Sequence, residues 1–197
     1  MIVVVSGLPR SGTSLMMQML RAGGMELLTD DRRAADPDNP RGYCEFEPVK
    51  RLRDDASWLA QAEGKAVKIV SALVFDLPAG HRYKVILMTR DLAEILASQR
   101  DMLERRGAAD TGPDDAIMRS HLERHLAKVR RFLKGTEYIE CLECSYNDLV
   151  REPRAVVGQV AAFLGNGVAE DGMLQAVDPS LHRHRRPAGG TTALAGR

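Results

Sequence analysis

The chain has 197 residues, 44% of them hydrophobic and 28% charged, with a formal net charge of +1. That length suits one domain with a single filled core, and the near-zero charge excludes a general binder of nucleic acid or anionic membrane, which needs many clustered cations. No apolar stretch approaches the ~18 residues of a spanning helix, and the opening run Ile2–Val5 lacks the length and basic flank of a secretory leader, so a cytoplasmic protein without membrane insertion is expected.

Residues 2–6 are β-branched and apolar, the pattern of a buried parallel strand. A helical pattern follows the Gly7–Gly12 stretch, with Leu15, Met16, Met19 and Leu20 on one face, and stops at Gly23-Gly24. Residues 25–47, rich in Asp, Pro, Gly and Arg, read as an ordered loop. Pro48 then opens a second predicted helix with the stripe Val49, Leu52, Ala56, Leu59 and Ala60. Strands are predicted over 66–70, 84–89 and 137–143. Between the last two lie helical stretches carrying Leu92 to Leu103 and Ile117 to Leu133, and a final helix runs from Pro153 to Leu164, ending at Gly165. Strands alternating with helices imply an α/β fold. The expectation is a single P-loop-type domain over 1–197, with a mainly parallel sheet of four or five strands covered by helices on both faces. Residues 183–197 form a basic, glycine-rich tail of that domain.

Cys44, Cys141 and Cys144 form no disulfide pattern, which fits a reducing compartment. The C-x-x-C of Cys141 and Cys144 has no second ligand pair for zinc. On a strand its two thiols face opposite sides of the sheet, so both read as structural. His121 and His125, four apart on one helix, read as packing or surface residues before they read as metal ligands. No metal is expected.

The segment Gly7-Leu8-Pro9-Arg10-Ser11-Gly12-Thr13-Ser14 joins a buried strand directly to a helix. In that setting backbone N–H groups and the helix N-terminus cradle an anion. A nucleoside-triphosphate loop of the form G-x-x-x-x-G-K-[ST] would carry lysine where this chain has Thr13. The cation has moved to Arg10, in the middle of the loop. A second feature ends at the same sheet edge: Lys84-Val85-Ile86-Leu87-Met88-Thr89-Arg90 is a strand closing on arginine, with Ser98 eight residues later. Arginine with a hydroxyl suits a phosphate monoester. Alone, Arg90 reads more often as a strand-end ion pair, with Asp91 as one partner; the anion loop at the same sheet edge favours the phosphate reading.

Pro9, Arg10, Ser11, Gly12, Thr13 and Ser14 resemble, without a gap, the 5′-phosphosulfate loop P-[RK]-[ST]-G-[TS]-[TS] of sulfotransferases that use 3′-phosphoadenosine 5′-phosphosulfate (PAPS). Arg90 with Ser98 is similar to that family's 3′-phosphate motif. Ser145-Tyr146-Asn147-Asp148-Leu149, Glu152-Pro153 and Phe163-Leu164-Gly165 resemble its Y-E-D-L…P…F-L-G stretch. The resemblance covers most of residues 2–165. It implies PAPS as co-substrate without a metal, and transfer of a sulfuryl group to a hydroxyl or amine on a small-molecule, carbohydrate or peptide acceptor. A homodimer and a role for the basic cluster His182–Gly190, where many members carry R-K-G-x-x-G, stay open.

Arg10 is the candidate to stabilise the leaving phosphate. Relatives with this short arginine loop take their base from a glutamate in the segment after the first helix; Glu45 is favoured here because Pro40 and Gly42 fix its loop before Pro48 opens a helix. Glu47, Asp30 and Asp31 follow, with His81, His121 and His125 behind them. Two other readings remain: a nucleotide-dependent phosphotransferase, and a catalytically inactive module that binds the nucleotide.

Overall fold

The computed structural model describes residues 1–30, 32, 36, 39, 42–105, 107, 114–165 and 167–178. Asp31, part of the 25–47 loop, most of 106–113 and the basic cluster His182–Gly190 lie outside the described residues.

Ten regular elements follow in chain order among these residues: β1 (Ile2–Gly7), α1 (Thr13–Ala22), β2 (Ala66–Val70), β3 (Tyr83–Thr89), α2 (Leu92–Arg105), α3 (Asp115–Gly135), β4 (Ile139–Ser145), α4 (Tyr146–Arg151), α5 (Pro153–Leu164) and α6 (Glu170–Ala176). The strands make one parallel sheet in the order β2-β1-β3-β4. Central β1 is buried along its whole length, with Val4 opposite both Val67 and Val85. A strand with two covered faces has no use for alternation, which is why its sequence is continuously apolar.

Successive side chains of β1 divide between two cores, as the period of two demands. Ile2 and Val4 pack with Val67, Ile69, Trp58, Leu59, Val129 and Leu133 on the α3 side. Val3 and Val5 pack with Met16, Met19, Leu20, Val157 and Val160 on the side of α1 and α5. A third cluster of Leu8, Ile95 and Leu126 ties the loop after β1 to α2 and α3. Both faces are thus covered, and all four strands send their carboxyl ends to one edge.

The helix expected after Pro48 is instead two 3₁₀ segments, Glu47–Arg51 and Ser57–Ala62. Asp55 interrupts it: its carboxylate accepts from both the N–H and the hydroxyl of Ser57, a local alternative to helical hydrogen bonding. Trp58, Leu59 and Ala62 are buried, while the expected Ala60 faces out. Cys141 is exposed and Cys144 buried on opposite faces of β4, in line with the strand reading.

Candidate active site

The loop after β1 is built around three backbone conditions. Arg10 adopts φ 72, a left-handed conformation that costs a residue with a Cβ about 1–2 kcal/mol. Gly12 has φ 97, and a Cβ there would meet Cδ2 of Tyr146 at 2.5 Å. A Cβ on Gly7 would come within 2.4 Å of Ser11 Oγ and 2.6 Å of the Met88 carbonyl oxygen. The Ser11 N–H closes the turn on Leu8 O at 3.1 Å. Its hydroxyl is fully buried and meets no hydrogen-bond partner among the described residues.

Helix α1 begins directly on this loop, with Gly12 as N-cap and no side-chain cap. No acidic residue stands in its first turn. First-turn N–H groups left without a cap, at the positive end of the helix dipole, are an anion seat. Strained backbone at such a place matches what functional loops show.

The second motif lies against the first. Arg10 Nε donates to Ser98 Oγ at 2.9 Å, with Ser98 buried on α2. Arg90, at the end of β3, donates from Nη1 to the carbonyl oxygen of Arg10 at 3.2 Å. Its guanidinium carbon lies 4.5 Å from the centre of the Tyr146 ring, the ring that also closes on Gly12. The ion-pair partner of Arg90 is not Asp91, as one sequence reading has it, but Glu94 one helical turn on, at 2.9 Å. Asp91 instead caps α2, accepting from Ala93 N at 2.8 Å. Pro9, Arg10, Ser11, Gly12, Thr13, Ser14, Arg90 and Ser98 therefore converge on one edge, with cations and hydroxyls set together.

Of the expected bases, Glu45 stands beside a residue that the sequence reading missed. Lys68, buried in β2, donates to Tyr43 O and sits 3.5 Å from Glu45 Oε1. Ser14 Oγ reaches the same Tyr43 oxygen at 3.5 Å, so Glu45 and Lys68 adjoin the first turn of α1. The signal was in the sequence: one lysine in an otherwise apolar strand has to be satisfied by something. Glu47 is exposed and paired with Lys50 at 2.8 Å, and Asp30 accepts from Glu47 N at 2.7 Å. His81 pairs with Glu63 at the far side of the chain's N-terminus.

His125 is placed differently. Its Nε2 lies 2.8 Å from the hydroxyl of Ser71, a buried residue just past β2 whose N–H donates to Gly7 O at 3.0 Å. Burial lowers its pKa from the ordinary imidazole range, and neighbouring Lys128 adds to the effect. A serine–imidazole pair thus borders the loop opposite Glu45. Neither residue of that pair signals the other in the sequence, being 54 positions apart.

A cavity of about 450 Å³ opens beyond β3 and β4, lined by Thr89, Ser145, Asp148, Glu152 and Gln159. Its carboxylates Glu143, Asp148 and Glu152 outnumber its one cation, Arg151, which pairs with two of them, and the loop after β1 does not line it. Among the described residues no group of three His, Cys, Asp or Glu side chains is arranged to hold a metal ion, and no helix is long and apolar enough to cross a membrane.

No protein-family model and no curated protein sequence matches the chain. Its fold is similar to that of the sulfotransferase domain from the olefin synthase of Synechococcus PCC 7002, at 17% identity and a TM-score of 0.54, over 93% of this chain and 82% of that one. It is also similar to the sulfotransferase domain from the curacin biosynthetic pathway, at 16% identity and a TM-score of 0.51, over 90% of this chain and 77% of that one. At such identities the likeness is one of architecture.

Proposed function

We propose that this protein, whose fold is that of sulfotransferase domains, transfers a sulfuryl group from PAPS to a hydroxyl or amine acceptor. The observation that carries this reading is the hydrogen bond from Arg10 to Ser98, which makes one site of two motifs 88 residues apart. A nucleotide with phosphate groups at both ends of its ribose needs two anion seats joined in this way. Neither seat alone would favour this ligand over a common nucleotide.

In this reading the uncapped start of α1 and the residues Ser11, Gly12, Thr13 and Ser14 hold the 5′-phosphosulfate. Arg90 and Ser98 hold the 3′-phosphate. The acceptor oxygen or nitrogen bonds to sulfur as the sulfur–oxygen bond to the 5′-phosphate breaks, and Arg10 meets the charge left on that phosphate. Glu45 takes the acceptor's proton, and Lys68, 3.5 Å away, orients its carboxylate. Exposed Glu47, paired with Lys50, is the second carboxylate in line. The Ser71–His125 pair favours a second reading of the base alone, because a neutral imidazole is better matched to neutral pH than a carboxylate. Thr13 in place of a loop lysine speaks against phosphoryl transfer from a triphosphate. The odd set of three cysteines, Cys44, Cys141 and Cys144, supports a cytoplasmic setting.

The test is a comparison of ligands. Adenosine 3′,5′-bisphosphate, the product nucleotide, is expected to raise the melting temperature markedly more than AMP does. Equal shifts would remove the 3′-phosphate role from Arg90 and Ser98. Transfer from labelled PAPS to a panel of small-molecule, carbohydrate and peptide acceptors then separates an enzyme from an inactive binding module.

A further inference from the structure

We infer that Glu94 and Asn147 are positioning residues for the donor site: a buried carboxylate–amide bridge that fixes the guanidinium of Arg90 and thereby sets the preference for a 3′-phosphorylated nucleotide. The inference rests on the donor site proposed above.

Glu94 is 5% exposed, and an ionised carboxylate at such depth persists only when both oxygens are satisfied. Both are. Oε2 accepts from Arg90 Nε at 2.9 Å, and Oε1 accepts from Asn147 Nδ2 at 3.0 Å. Asn147 is used at both ends, since its Oδ1 accepts from Asp91 N at 3.1 Å. That amide ties the start of α2 to α4, and Glu94 completes the tie to the end of β3.

The consequence falls on Arg90. Its Nε is committed to Glu94, Nη1 gives one hydrogen bond to Arg10 O, and one face of the guanidinium stacks on Tyr146. A planar fork held at three points has no rotational freedom left, so its remaining N–H groups keep fixed directions. Preorganised donors bind a phosphate without the ordering cost that a loose arginine carries. Position 147 also explains a departure from the Y-E-D-L pattern. A glutamate there would set a second carboxylate against Glu94 and could not donate to it, whereas an asparagine amide donates to Glu94 and accepts from Asp91.

Calorimetric titration of wild type, Glu94→Gln, Glu94→Asp and Asn147→Ala with adenosine 3′,5′-bisphosphate and with AMP tests the assignment. Glu94→Gln is expected to weaken binding of the bisphosphate about 10-fold and leave AMP within about twofold. Glu94→Asp recovers part of the loss. Asn147→Ala, at a less buried position, gives a smaller loss of the same kind. Equal losses for the two nucleotides, or no loss for either, overturn the inference, because a merely structural role moves both ligands together. A wild type that binds the two nucleotides equally refutes the donor-site reading itself, and the inference with it.

Discussion

Arg90 and Arg10 are joined through the main chain: Nη1 of Arg90 donates to the carbonyl oxygen of Arg10 at 3.2 Å across 80 positions of sequence. The bond does two things at once. It sets the open end of the Arg90 fork beside the anion loop, and it holds Arg10 in its left-handed conformation. Arg90→Lys keeps the charge but loses the fork, since an ammonium cannot pair with Glu94, Arg10 and a phosphate in one plane. We expect affinity for adenosine 3′,5′-bisphosphate to fall about 10-fold or more by calorimetry. Unchanged affinity would mean that Arg90 holds the loop and not the ligand.

Gly12 and Tyr146 make the second test. Alanine at position 12 has to adopt φ 97 and bring its Cβ within 2.5 Å of the Tyr146 ring. The combined cost is expected to be about 2–4 kcal/mol, a fall in melting temperature of roughly 5–15 °C for a chain of this size. Tyr146→Ala removes the clash but not the φ penalty. The double variant should therefore recover part of what the sum of the single losses predicts. Strict additivity would show that the ring is not what excludes a side chain at Gly12.

Much of this was legible from residue order, for a physical reason. Periodicity and punctuation are local, so β1, α1, β2 and α5 fall within a residue of where apolar runs, glycines and Pro153 place them. The anion loop was legible because it too is one contiguous segment. Side-chain partnerships between distant segments were not: Lys68 with Glu45, Ser71 with His125, and Glu94 with Asn147 each need the folded sheet edge to meet. The short helix α6 went unseen, since seven residues give too little periodicity to read. Its place is set by packing on α1, where Ala169 N donates to Gly23 O at 2.8 Å. The Pro48 stripe misled because Leu52 and Leu59 are both buried in the same core, yet Leu52 lies just past the first 3₁₀ segment and Leu59 on the second.

The base is decided by a pair of substitutions. Glu45→Gln should preserve the thermal shift with adenosine 3′,5′-bisphosphate while transfer falls about 10²-fold or more. His125→Gln should lower transfer only a few-fold if its ring serves Ser71 and the loop. The reverse pattern, a Glu45→Gln enzyme that still turns over beside a dead His125→Gln, would move proton abstraction to the Ser71–His125 pair. In that case the acidic limb of the pH–rate profile should follow the imidazole.

His125 also makes stability depend on pH, with a definite sign. Burial, helped by Lys128, lowers its pKa below the ordinary imidazole value. The folded state therefore takes up this proton at lower pH than the unfolded chain does. Above the ordinary imidazole range both states are neutral at this position and the full contribution is present. As pH falls below about 6.5, the unfolded chain binds the proton first, and the balance shifts toward unfolding until the folded-state value is passed. Carboxylate effects add to the wild-type curve in the same range, so the informative quantity is the difference between wild type and His125→Gln. That difference should favour wild type most at pH 7.5 and shrink steadily toward pH 5, read by urea denaturation at fixed salt. A difference independent of pH would show that His125 titrates alike in both states, and that Ser71 holds the ring without regard to its charge.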